Sequence, residues 1–139
     1  MAEAESIIAA LNLKPHPEGG WYAETHRIPS LQGLRSPGTA IYYLLKAGER
    51  SAWHRIDATE IWHFYAGDPI ELSLSFGDGC KRHVLGPDIL AGHHSQVVVA
   101  PGEWQTARTT SLWSLAGCTV SPGFDFSGFE LAPADWRPT

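Results

Sequence analysis

From residue 21 onward the chain alternates apolar and polar positions in short runs. The clearest is "IELSLSF" at 70–76, where Ile70, Leu72, Leu74 and Phe76 fall on one face and Glu71, Ser73 and Ser75 on the other. A period of two predicts a strand with one buried face. "GWYAETHRI", "TAIYYLLKA", "SQVVVA" and "SLWSLAGCTV" are rich in aromatic and β-branched residues and predict further strands. Gly- and Pro-bearing turns separate them, among them "AGDP", "GDG", "LGPD", "APGEW" and "SPGF". Only "AEAESIIAALNL" carries a helical stripe, formed by Ile7, Ile8, Leu11 and the alanines, with Glu3 and Glu5 near the positive end of the helix dipole. "KPHPEGG" stops that helix, because its prolines and glycines favour a defined turn. The pattern predicts an all-β sandwich or barrel with a short N-terminal helix, as one domain over residues 1–139.

Composition narrows the function classes. Charged residues make up 18% and hydrophobic residues 43% of the 139, a globular balance. Aromatic residues, at 11%, are numerous enough to line a pocket as well as fill a core. The formal net charge is −5, and no run of Lys or Arg stands out, so no nucleic-acid footprint is expected. No apolar run approaches the ~20 residues of a membrane span. The acidic start does not read as a secretory leader. Cys80 and Cys118 read as free, buried thiols of a reducing compartment, which makes the cytoplasm the expected location.

The chemistry concentrates in "GERSAWHRIDATEIWHFYAG" at 48–67. Taken as strand, turn and strand, it places Ala52, His54 and Ile56 on one face. Glu60, Trp62 and Phe64 share a face of the second strand, and His63 and Tyr65 point the other way. His54 and Glu60 then form a polar pair inside the barrel, with Ile56 as apolar surface. Glu18 and Tyr22, in "PEGGWYAET", are read as a pocket rim on the first strand. His16 reads as a surface turn residue, Asp125 as a turn aspartate capping backbone N–H groups, and "HH" at 93–94 as solvated loop. Trp136 is expected to pack a short helical turn of the tail onto the barrel.

These residues resemble a known superfamily. In the first cupin motif, G-x5-H-x-H-x3–4-E-x6-G, the positions fall on Gly48, His54, Glu60 and Gly67, with Ile56 replacing the second histidine. The second motif is matched imperfectly by "APGEWQ", where Gly102 is kept, the proline is shifted to Pro101 and Gln105 replaces the histidine. The chain is similar to cupins of the dTDP-sugar-epimerase-like jelly-roll type. It is closer still to a subfamily of small proteins, through "LNLKPHPEGGWYAET", "TAIYYLL", "SAWHRIDATEIWHFYAGDP", "PGEWQ" and "GCTVSPGFDFSGFEL", in that order over residues 11–131. The resemblance implies a double-stranded β-helix, commonly a homodimer, with a small organic ligand inside and no assured reaction. Metal-binding cupins offer three histidines and a glutamate; the corresponding positions here are His54, Ile56, Glu60 and Gln105. That set serves a divalent transition metal poorly, so no cofactor is expected.

Three functions fit this reading. The first is a metal-independent sugar or carbohydrate epimerase or isomerase. His54 would be the base, Glu60 would orient it, Gln105 would polarise a carbonyl, and Tyr22, Tyr43 or Tyr65 would supply an acid. The second is a non-catalytic metabolite-binding or sensor cupin, with Trp62 and Phe64 as stacking surface. The third, which the ligand positions serve least well, is a metal-dependent enzyme.

Overall fold

The computed structural model describes residues 2–139, Ala2 by its main chain alone. Helix α1 (Ala2–Leu11) is followed by β1 (Lys14–Pro15), β2 (Trp21–Arg27), β3 (Thr39–Lys46), β4 (Arg50–Ile56) and β5 (Thr59–Gly67). Then come β6 (Ile70–Ser75), β7 (Lys81–Leu85), β8 (Gln96–Val99), β9 (Trp104–Thr109), β10 (Trp113–Ser121) and β11 (Phe129–Leu131). The strands form two antiparallel sheets, in the orders β1-β2-β3-β10-β5-β8 and β11-β4-β9-β6-β7. They face each other as a jelly roll. Among the described residues no helix is long and apolar enough to cross a membrane.

The core follows the alternation in the sequence. Tyr43 and Leu45, Trp62, Ile70, Leu72 and Leu74, and Val97 and Val99 point between the sheets. Leu44 points to the other side of β3 and packs with Trp113 and Leu115 under the Ile7, Ile8 and Leu11 stripe of α1. The helix is further tied to the sheet by Glu3, which accepts from Trp113 Nε1 at 3.1 Å, and by the Glu5–Lys46 pair at 2.9 Å. It ends at Asn12, in the left-handed region (φ 56°), and the Leu13 N–H then reaches the Ile8 carbonyl at 2.9 Å.

Several positions depart from the simple pattern. Phe76 is exposed because β6 ends at Ser75 and the next residues turn. Cys118 is buried, whereas Cys80 is exposed in the turn before β7. In β4, Ser51 is buried and Ala52 is exposed, although His54 and Ile56 are both buried. A bulge between Ser51 and His54, opposite β9, shifts the parity by one residue. Beyond the bulge the predicted faces hold: Glu60 and Trp62 are buried and Tyr65 is 52% exposed. β4 and β5 do not pair with each other. Asp57 and Ala58 carry the chain from one sheet to the other, so the inward side chains of β4 and β5 come from opposite walls. In the tail, Trp136 does pack on the barrel, against Trp104 and Trp53 at 4.8 and 5.4 Å between rings, through a single turn closed by its N–H to Pro133.

Candidate functional site

A cavity of about 370 Å³ opens between the two sheets, walled by strands β2, β3, β4 and β5, the end of β10 and the segment around β11. One side is apolar, built from Ile41, Ile56, Val120, Phe124, Phe126 and Phe129. The three phenylalanines touch one another at 4.7–5.9 Å between ring centres. The polar side holds His16, Glu18, His54 and Glu60. At the mouth Arg27 pairs with Glu24 at 2.8 Å and donates to the Phe124 carbonyl at 3.1 Å.

The "HPEGG" turn sets the polar side. Gly19 (φ 106°) passes so close to β4 that a Cβ there would lie 2.2 Å from the Arg50 carbonyl oxygen, which only glycine permits. That approach brings Glu18 onto β4, where the Ser51 hydroxyl donates to its carboxyl and His54 Nε2 stands 3.3 Å from Oε2. The Ala52 carbonyl, turned inward by the bulge, accepts from His54 Nδ1 at 2.7 Å. This bond places the ring proton on Nδ1 and leaves the Nε2 lone pair facing Glu18. His16 is buried, not a surface residue: its Nδ1 accepts from the Glu18 N–H at 3.0 Å, and its ring meets Tyr22 edge-on at 4.4 Å.

Burial sets the protonation states. Desolvation pushes the Glu18 carboxyl up to about 8. It also lowers His16 to about 4, with the neighbouring His54 as the next cause. His54 is lowered as well, chiefly by burial, and the nearby Glu60 opposes that shift. Glu60 is raised, again first by burial. At neutral pH the Glu18 carboxyl is therefore held protonated, with His54 Nε2 at 3.3 Å from Oε2 and His16 Nδ1 at 3.3 Å from Oε1.

The structure sorts the expected site residues into two layers. His54, Ile56, Glu60, Glu18 and Tyr22 line the cavity. Gln105, Trp62, Tyr43 and Phe64 stand behind that lining. Gln105 is fully buried; its Nε2 donates to Glu60 at 2.7 Å and its Oε1 accepts from Trp62 Nε1 at 2.8 Å, so it positions Glu60 from behind the lining and does not reach the cavity to polarise a ligand carbonyl. The Tyr43 hydroxyl donates to the Gly19 carbonyl. Phe64 packs against the core. The carboxylate within ion-pair distance of His54, among the described residues, is Glu18 and not Glu60. Asp125 does cap the backbone, accepting from the Ser127 N–H at 3.0 Å. His16, Ser51 and Phe129 were not singled out from the sequence as site residues. For His16 the signal was present in the two prolines that fix its backbone.

The family model described as Cupin superfamily (DUF985) matches residues 5–132. The chain belongs to the cupin superfamily. No curated protein matches. Among solved structures, this cupin is similar to a protein of Shewanella oneidensis, with 36% identity, TM-score 0.88, and coverage of 93% of this chain and 84% of that one. It is also similar to a hypothetical protein from Leishmania major, with 32% identity, TM-score 0.82, and coverage of 93% and 86%. A cupin 2 domain-containing protein from Halorhodospira halophila shares the fold at 17% identity and TM-score 0.61, covering 88% of this chain and 76% of its own.

Cupins commonly hold a transition metal, and the residues here can be tested for one. Ile56 packs with Ala58 and Val120 and offers no donor. Both amide atoms of Gln105 are engaged, and its Nε2 faces Glu60 as a donor. Among the described residues no three His, Cys, Asp or Glu side chains form a group able to hold a metal ion. The donor set at the motif positions does not fit a transition-metal centre.

Proposed function

We propose that this cupin binds a sugar-sized hydroxy-carbonyl compound in the cavity and moves a proton on the carbon next to the carbonyl, as a metal-independent isomerase or epimerase. The observation that carries this reading is the 3.3 Å contact between the Glu18 carboxyl and His54 Nε2 at the buried polar side. A ligand carbonyl that takes the Glu18 proton as a hydrogen bond frees the Nε2 lone pair. His54 then removes the α-proton, the C–H electron pair enters the enolate, and Glu18 stabilises the oxygen that gains charge. The imidazolium that forms is held by the Ala52 carbonyl and by the field of Glu60. His54 then returns the proton to the neighbouring carbon. Glu18, having given its proton to the former carbonyl oxygen, takes the proton of the adjacent hydroxyl as that group becomes the new carbonyl, which completes isomerisation with a single base. Epimerisation needs a second donor on the opposite face. Of the three tyrosines only Tyr22 lines the cavity; the Tyr43 hydroxyl is engaged by Gly19, and Tyr65 is exposed on the outer face. The phenylalanine wall gives apolar surface for the C–H face of a ring.

The test is solvent-deuterium exchange. A panel of aldoses, ketoses and uronic acids is incubated with the protein in D2O, and loss of C–H signals is followed by proton NMR. The expected result is incorporation at one α-carbon, slowed at least ~100-fold by His54→Gln with binding retained. Binding without exchange, with His54→Gln changing affinity alone, makes the protein a binding module. Neither binding nor exchange across the panel removes the carbohydrate assignment.

A further inference from the structure

The sequence shows no basic run, yet the fold gathers arginines from four separate segments. A shallow basin of about 410 Å³ on the outer face of the five-stranded sheet is lined by Arg50, Arg82, Arg108 and Arg137, with Glu71 as the one carboxylate side chain among its lining residues. Strand register explains the gathering. Arg50 lies directly across the ladder from Arg108, and Arg108 from Glu71, in one row. In the adjacent row Thr106 lies opposite Ser73, and Ser73 opposite Arg82.

Two features of this basin favour an anion. Like charges directly opposite in a ladder repel, and Glu71 offsets only the Arg108 side of the Arg50–Arg108 pair, so an anion beside Arg50 would relieve the rest. Glu71 serves Arg108 at 2.9 Å and Arg82 at 3.8 Å, while Arg50 and Arg137 have no ion pair among the described residues. Ser73 is only 8% exposed and lines the basin floor, and its side-chain hydroxyl, open to the basin, has no hydrogen-bond partner among the described residues. The Trp53 indole stands at one side, held edge-on by Trp136.

We propose that this basin binds a small phosphorylated anion of diphosphate size or larger. Guanidinium forks match phosphate oxygens two by two, and more than one guanidinium is available after Glu71 has been satisfied. The Ser73 hydroxyl donates to a phosphate oxygen at the floor. Trp53 offers a ring face to a base or sugar carried on the phosphates. The site lies on the opposite face of the sheet from the cavity and is independent of the reaction proposed there.

Isothermal titration of the full chain with inorganic pyrophosphate and with ADP tests it. The expected result is saturable one-to-one binding, weakened about tenfold by Arg50→Gln or Arg137→Gln and unchanged by Lys14→Gln, which removes the same charge from the other sheet. Glu71→Gln, which removes the competing carboxylate, is expected to tighten binding, a gain that misfolding cannot produce. ADP binding tighter than pyrophosphate assigns a nucleotide, and equal affinities assign the phosphates alone; both sustain the site. No saturable binding at millimolar pyrophosphate, or equal weakening by Lys14→Gln, overturns it.

Discussion

Trp62→Ala is expected to lower the unfolding free energy by about 3–5 kcal/mol, measured by urea denaturation at pH 7. Trp62 is 2% exposed, at the centre of the core between the sheets, with its ring edge-on to Tyr43 at 5.6 Å. Truncation removes that packing and leaves a void that a two-sheet core closes only in part. It also removes the indole N–H from Gln105 Oε1, leaving a buried acceptor unpaired. Trp62→Phe separates the two effects: it keeps most of the volume and should cost about 1–3 kcal/mol. Because Gln105 in turn holds Glu60, Trp62→Phe should loosen the Glu60 carboxylate without removing any residue that lines the cavity. A loss under about 1 kcal/mol for Trp62→Ala would show that the core is not organised around this ring.

Glu18→Gln is expected to change how stability depends on pH. The Glu18 carboxyl is raised from an ordinary 4.5 to about 8. Between those values the folded protein keeps a proton that the unfolded chain has released, so its contribution falls as pH rises, by up to ~1.4 kcal/mol per pH unit. Glu60 is raised too and acts in the same direction. The histidines oppose it. His16 falls from 6.5 to about 4 and His54 is also lowered, so both add stability as pH climbs towards 6.5 and nothing beyond it. The wild-type curve should therefore decline more steeply between pH 6.5 and 8 than below pH 6.5, where the histidines offset the carboxyls. Glu18→Gln should lose the Glu18 part of that decline, so its curve should lie flatter than the wild-type curve between pH 6.5 and 8. Parallel curves for the two proteins across pH 5–8 would mean that Glu18 is not held protonated by the fold.

The strands, the short helix and the inward face of β5 were legible because a period of two survives wherever a strand is regular. Ala52 shows the limit of that rule. The bulge before His54 exchanges Ala52 for Ser51 on the inner face, and no pattern in "RSAWHRI" marks it. His54 and Glu60 were legible as inward residues. The partner of His54 was not, because Glu18 comes from a separate turn and reaches β4 only through the close approach of Gly19. The motif position of Gln105 points to a ligand group, whereas its hydrogen bonds make it the support of Glu60. His16 looked like a surface turn residue because local sequence does not reveal which turn folds over the end of a sandwich. The arginine basin is the extreme case, since its residues meet only through strand order and register.

The proton shared by Glu18 and His54 can be observed directly. Protein labelled with carbon-13 at glutamate side chains and nitrogen-15 at histidine is titrated by NMR between pH 4 and 9, with Glu18→Gln and His54→Gln used to assign the signals. The predicted result is a Glu18 carboxyl that ionises near 8, and a His54 ring that is neutral at pH 7 with its proton on Nδ1. A Glu18 carboxyl already ionised at pH 6 beside a cationic His54 would contradict it, replacing the shared proton with a fixed ion pair that has no free base.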